Sequence, residues 1–348
     1  MKTPALYKIF ILIALFILSV MVLIGVPFIG MTAISINDIF SKTTGSFIFW
    51  NIRLPRVLIA FLAGSALAAS GAAFQAMFRN PLATPFTLGV AQGAALGASL
   101  YLWLGLRFDT FGFSGISLFG FLGAAAAILI VYGLTRLKKG FLTYTILLAG
   151  VVVSFFFSSL ILFIQYVSDF TQSLYIMRWL MGGLETVGYR SVLDIAPFVL
   201  AGNVIIILFA NELNLLVIGE DIAVSRGVDL RRTKIVLFLS VSMMVGGFVS
   251  VCGPIGFIGL IAPHICRLVI GHDHRHLIPA VIFLGGIFLT LCDMLSRTLI
   301  APAEMPVGII TSLLGGLFFY LAAFQKINNK QRTHWDHLAF VVKPSKFN

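Results

Sequence analysis

An all-α polytopic membrane protein of about ten transmembrane helices follows from three observations. The 348 residues are 59% hydrophobic, with a mean hydropathy of +1.03. Only 11% are charged, where a soluble domain carries about 25%. The apolar residues fall into long blocks, many exceeding the roughly 18 residues that read as a membrane span.

Ten spans fit the blocks, at about 7–30, 55–78, 85–105, 114–135, 142–166, 191–210, 233–252, 256–270, 277–298 and 306–325. The first follows Lys2 and Lys8 and resembles a secretory signal. Its apolar run exceeds the roughly 7–15 residues of a signal core, and no small-x-small cleavage site follows, so it reads as a retained span. The eighth is short and contains Pro263. Between spans five and six, the segment 168–190 reads as an interfacial helix rather than a span. The whole chain, 1–348, reads as one transmembrane domain, with a polar segment at 212–232 and a basic tail at 326–348.

Charge orients the helices. With the N-terminus inside, about 17 of the 24 Lys and Arg fall on the inner side and about seven outside, the positive-inside pattern. Both termini are then cytoplasmic. The net charge of +11 is explained by these inner loops, without invoking nucleic acid. Arg53 and Arg56, in "NIRLPR" at the head of span two, run against the bias, as does Arg297 at the outer end of span nine. Pro55 between the first two suits the first turn of a helix, where its missing N–H costs little.

Small residues recur at helical spacing. Ala60, Gly64, Ala68, Ala72 and Ala76 form one ladder in span two, where Gly71 also lies; Gly89, Gly93 and Gly97 form another in span three, and Gly308, Ser312 and Gly316 a third in span ten. Such faces allow close helix packing in lipid; lining a pathway is the alternative role.

Enzymatic motifs are absent: no GxSxG, HExxH or Walker A sequence occurs. No enzyme site stands out, and the chain is expected to hold no cofactor or metal. Cys252, Cys266 and Cys292 sit in apolar segments as small hydrophobes. His264 reads as a packed side chain. His272, His274 and His276 alternate in "HDHRH", which scatters them on a helix and leaves convergence only to a loop. Asp293 is the main intramembrane carboxylate, and such residues are costly. Four residues before Arg297, it shares a helix face with that arginine and can pair with it. In "GEDIAVSRGV", acidic residues open a short helix and Gly227 closes it, a natural docking element for a cytoplasmic partner.

The stretch "RLPRVLIAFLAGSALAASGAAFQAMFRNPLATPFTLGVAQGAALGA" resembles the signature of the FecCD-type permeases, as do "GPIGFIGLIAPHICRLVIGHDHRHLIPA" and "DMLSRTLIAPAEMPVGIITSLLGG". The resemblance covers nearly the whole chain. It implies a type II ABC importer permease in a bacterial or archaeal cytoplasmic membrane, forming a dimer, a homodimer in the simplest case. It also implies two cytoplasmic ATPases, which hold ATP and Mg, and an extracytoplasmic substrate-binding protein. Arg53, Arg56 and Arg297 match the arginines that pair with glutamates of that binding protein. Gly219, Glu220, Asp221, Ala223 and Gly227 match the ATPase-docking loop, and Ser154, Phe157, Ser158, Thr311 and Ser312 fall on the pathway-lining spans. The substrate class is an iron–siderophore or related chelate, with haem or cobalamin as alternatives. A proton-coupled carrier using Asp293 is the reading from a different class.

Overall fold

Ten helices account for the apolar blocks: α1 (Ala5–Gly25), α2 (Leu54–Met77), α3 (Val90–Trp103), α4 (Gly115–Arg136), α5 (Thr143–Val167), α6 (Arg190–Leu208), α7 (Leu230–Cys252), α8 (Ile258–Ile270), α9 (His274–Thr298) and α10 (Val307–Leu321). The computed structural model describes residues 5–321 except 31, 33, 41–43, 107–108, 111–112 and 137–142. The basic tail and the end of the tenth expected span lie outside the described residues. A two-residue ladder, Asp109–Thr110 with Phe113–Ser114, is the strand pairing among them.

Seven of the helices are long and apolar enough to cross a membrane. The other three, α3, α8 and α10, have 14, 13 and 15 described residues. At about 1.5 Å per residue α3 and α8 cover roughly 20 Å, short of a hydrocarbon core of about 30 Å, while α10 is helical up to the last described residue. The segment 168–190 holds a helix, Phe170–Leu180, opened by Asp169 in a reciprocal cap with Gln172.

α2 is the centre of the bundle and is buried along almost its whole length. The small residues of its ladder explain this. A Cβ on Gly64 would overlap the Gly285 carbonyl of α9, and one on Gly71 would overlap Gly259 of α8. The backbones therefore meet directly, which side chains on both helices would prevent. Gly93 and Gly97 bring α3 equally close to α4 at Gly123 and Phe119. α1 lies at the periphery, exposing Leu6, Phe10, Ile13 and Met21 and touching α9 through the Phe16–Phe283 edge contact.

Two prolines shape the contacts of α2. A proline offers no N–H to the carbonyl four residues earlier. Pro55 leaves the Asn51 carbonyl to accept from the Gly188 amide at 2.6 Å, and Pro263 leaves the Gly259 carbonyl to accept from Gln75 Nε2 at 2.9 Å. Pro55 falls in the first turn of α2, as the sequence suggests, but α2 is not where the helical backbone begins. Helical backbone already runs from Thr44, through a wide π-type turn at Ile48–Arg53, into α2. The π-type turn re-aims the hydrogen bonds just where the proline would disrupt an α-helix.

Candidate functional site

The C-terminal end of α9 carries a cluster of ionised side chains. Asp293 is fully buried. Arg56 donates from Nε to Asp293 Oδ1 at 2.9 Å, and Arg297 Nε lies 3.1 Å from Asp293 Oδ2. One helical turn separates Asp293 from Arg297, so α9 itself fixes that pair. Arg56 reaches it from α2, held close by the Gly64–Gly285 approach. Its Nη1 then donates to Glu304 Oε2 at 2.7 Å. Glu304 lies between α9 and α10, with its side chain 31% exposed.

Arg53 is enclosed differently. It donates to the carbonyls of Pro27 and Phe28, each at 3.2 Å, and to the Thr32 carbonyl and hydroxyl at 2.6 and 3.0 Å. Arg53, Arg56 and Arg297 are only 5%, 6% and 5% exposed. The sequence suggested cations displayed at a helix start; the fold instead encloses them. A buried cation needs an anion or several oxygen acceptors to offset its lost hydration, and the chain supplies both kinds. The compensation is incomplete: Arg297 Nη2 and Asp293 Oδ2 are both buried without a hydrogen-bond partner among the described residues, although Oδ2 keeps its ion-pair contact with Arg297 Nε. Two guanidinium groups, those of Arg56 and Arg297, thus meet two carboxylates, Asp293 and Glu304, while Arg53 is held by neutral oxygens alone. Glu304 is the functional candidate that sequence reasoning missed, because a loop carboxylate 248 residues from its partner leaves no periodic signal.

Beside this end, Tyr175, Arg178, Trp179 and Glu185 line a cavity of about 230 Å³ with Leu102 and Cys252. Arg178 donates to Glu185 at 2.9 Å across exposed surface.

The N-terminal end of α9 meets the segment 212–232. This segment forms two helices, Ala210–Ile218 and Glu220–Ser225, joined at Gly219. Gly227, at φ +85°, closes the second, with Val228 N donating back to the Ala223 carbonyl at 3.0 Å, a glycine stop that side chains rarely tolerate. Ala223 is fully buried and seats the helix, while Asp221 faces out. Glu220 pairs with the buried Lys234 Nζ at 2.8 Å. Ile218, Ile222 and Val224 stand exposed at 63%, 45% and 55%.

Polar side chains tie this segment to α9. Asn214 donates from Nδ2 to Asp273 Oδ1 at 2.8 Å and accepts from the His274 amide at 2.9 Å; Arg275 Nε donates to Asn211 Oδ1. Asp273 caps α9. Burial pushes its carboxyl up, but hydrogen bonds from Asn214 and the Arg275 amide, with the charges of His276 and Lys8, hold it below the usual carboxylate range. The "HDHRH" histidines do not converge: His274 turns onto Asn214 and His276 onto Asp273. His264 packs edge-on against Phe318.

The third ladder divides. A Cβ on Gly308 would overlap the Met181 carbonyl, whereas Ser312 is exposed and Gly316 faces open space. Gly89 takes a positive φ of 79° to turn the chain into α3. Of the candidate pathway residues, Phe157 and Thr311 are buried and Ser154 and Ser158 half-buried.

A model of the FecCD transport family matches residues 11–325. The chain belongs to the FecCD transport family. This FecCD chain is 42% identical over 276 residues to an uncharacterised ABC transporter permease protein of Bacillus subtilis, covering 79% of this chain and 78% of that one. It is 38% identical over 309 residues to the hemin transport system permease protein of Yersinia pestis, covering 88% and 92%. Among solved structures, a chain described as an inward-facing metal-chelate type ABC transporter superposes with a TM-score of 0.82 at 29% identity, covering 90% of this chain and 99% of that one. The all-helical fold is therefore that of an ABC importer permease, a transport subunit.

Proposed function

We propose that this chain is the membrane subunit of an ATP-driven importer for a metal chelate, in first place an iron–siderophore. Two copies enclose the pathway in the cytoplasmic membrane. Separate ATPases, carrying ATP and Mg, seat on the Glu220–Ser225 helix, and a substrate-binding protein delivers the chelate at the Arg56–Asp293 end. The observation that carries this reading is the exposed apolar face of Ile222 and Val224 on a short helix that follows, through Gly219, the helix tied to α9 by Asn214, within a FecCD chain. The excess of Lys and Arg around that helix assigns it to the inner side.

Mechanistically, ATP binding draws the two docked ATPases together. Each moves its helix, and Asn214 passes the displacement to the start of α9. Close backbone packing of α9 on α2 carries it through the bundle as a rigid-body rock. A chelate brings its own metal ligands, so the pathway needs no ion site.

Haem is a second substrate reading, supported by the similarity to the hemin permease. The proton-carrier reading gains no support from Asp293, whose two oxygens each lie against a guanidinium. Reconstituted vesicles containing the permease and its ATPase test the proposal. Uptake of a ferric siderophore, haem or cobalamin should require both ATP and the ATPase; uptake at full rate without the ATPase would overturn it.

A further inference from the structure

The two anions of the buried cluster differ in how firmly they are placed. Asp293 sits within α9, is fully buried and lies within ion-pair distance of both Arg56 and Arg297. Glu304 sits on the connection to α10, in a run of exposed residues from 301 to 304, and among the described residues forms an ion pair with Arg56 alone. Its neighbour is anchored instead: Met305 N donates to the Ser296 carbonyl at 3.1 Å. A carboxylate on a flexible side chain at the solvent boundary can leave Arg56 for water. Asp293 cannot.

We infer that Glu304 is a stand-in anion, holding Arg56 in the unoccupied permease and yielding it to a carboxylate of the docking protein. This rests on the docking reading above. The cluster has room for the exchange in charge as well as in hydrogen bonds. Arg56 and Arg297 meet the two carboxylates, Arg53 adds a third cation within electrostatic reach of Arg297 but is held by neutral oxygens, and Arg297 Nη2 is a buried donor without a hydrogen-bond partner among the described residues. A carboxylate arriving from an acidic protein surface would take Nη1 of Arg56 and fill Arg297 Nη2. Glu304 would then turn to solvent. Burial of the arginines, puzzling for residues that greet a partner, then has a physical cause. Bare guanidinium groups at the end of an apolar bundle would be poorly compensated, so the empty state supplies its own counter-ion.

The exchange makes Glu304 a competitor of the partner, and competition has a sign that a merely structural role lacks. The permease–ATPase complex in lipid nanodiscs is titrated with the binding protein of the same transport system at low ionic strength. E304Q should bind about fivefold more tightly than the unaltered complex, the scale of one partly exposed ion pair. In an R56Q background, the same E304Q change should alter affinity little, because the competition runs through Arg56. Equal or weaker binding by E304Q, or an equal gain with and without Arg56, would overturn the inference. Should E304Q fail to assemble, E304D carries the test: one methylene shorter, it should tighten binding by a smaller factor, and unchanged or weaker binding counts against the exchange. The docking reading fails separately, and visibly, if R56Q together with R297Q leaves affinity unaltered.

Discussion

At its C-terminal end α9 gathers ionised side chains inside the protein, whereas beside its N-terminal end a short helix leaves Ile222 and Val224 in the open. Each end inverts the usual rule for where a side chain belongs. An apolar side chain left in water costs little structural order and invites any complementary surface. A charge can wait for a partner only if the fold compensates it meanwhile. The exposed apolar helix therefore suits a partner that stays, such as an ATPase. The compensated charge cluster suits one that comes and goes.

The sharpest way to break this contrast is to remove the central anion. Asp293→Ala leaves Arg56 and Arg297 buried with Glu304 alone between them. Loss of one member of a buried ionic group costs about 3–5 kcal/mol, so the purified permease should melt far lower or fail to accumulate. An unchanged melting temperature would show that the cluster is not compensated as described. At the other end, Ile222→Asp with Val224→Asp should do the reverse. Stability should change by less than about 0.5 kcal/mol, since both side chains are exposed, while ATPase association in a pull-down or titration weakens at least about tenfold. A fall in stability without loss of association would place these residues in the fold rather than the interface.

The smallest effect concerns the tie between the two. The Asp273 carboxyl is held below its unfolded value, so its contribution is fully present above the unfolded pKa of about 3.9 and is lost as pH falls through the folded value. Hydrogen exchange of residues 210–218 should therefore be unaffected between pH 7 and 5, after correction for intrinsic rates, and speed up below about 4. Asn214→Ala should produce the faster exchange already at neutral pH. Protection that is indifferent to both changes would mean that Asp273 and Asn214 do not hold the segment to α9.

Much of the helical framework was legible because hydropathy and small-residue spacing act within one segment. The blocks place all ten helices, and "EDIAVSRGV" reveals its helix and stop through residues three to seven apart. The Asp293–Arg297 relation was legible for the same reason, being one helical turn. Arg56 joins it from 237 residues away, a distance at which no single sequence carries a period. The burial of the three arginines was misread because sidedness was inferred from charge alone, whereas exposure depends on which oxygens the fold brings near. The short eighth span was legible, but the third was expected over 85–105 and its helix is only Val90–Trp103, because a window of apolar residues cannot tell a helix from the 3-10 turn at Pro85–Leu88 that precedes it. The helical backbone that precedes α2 from Thr44 was not legible, because Pro55 looks like a boundary unless a π-type turn absorbs it.

The carbonyls of Asn51 and Gly259 each accept a hydrogen bond from outside their own helix. Each is left without the usual amide by a proline, so a donor that lets go of it leaves the helix's own ladder intact. Such a contact resembles a latch more than a weld: about 0.5–1.5 kcal/mol opens it. The Gly188–Asn51 bond joins the loop before α6 to the chain entering α2, near the charged end where water can replace either partner. The Gln75–Gly259 bond lies in the packed interior, where nothing replaces it without cost. One proline thus leaves the molecule a joint that can be released and reset, and the other a joint that stays shut.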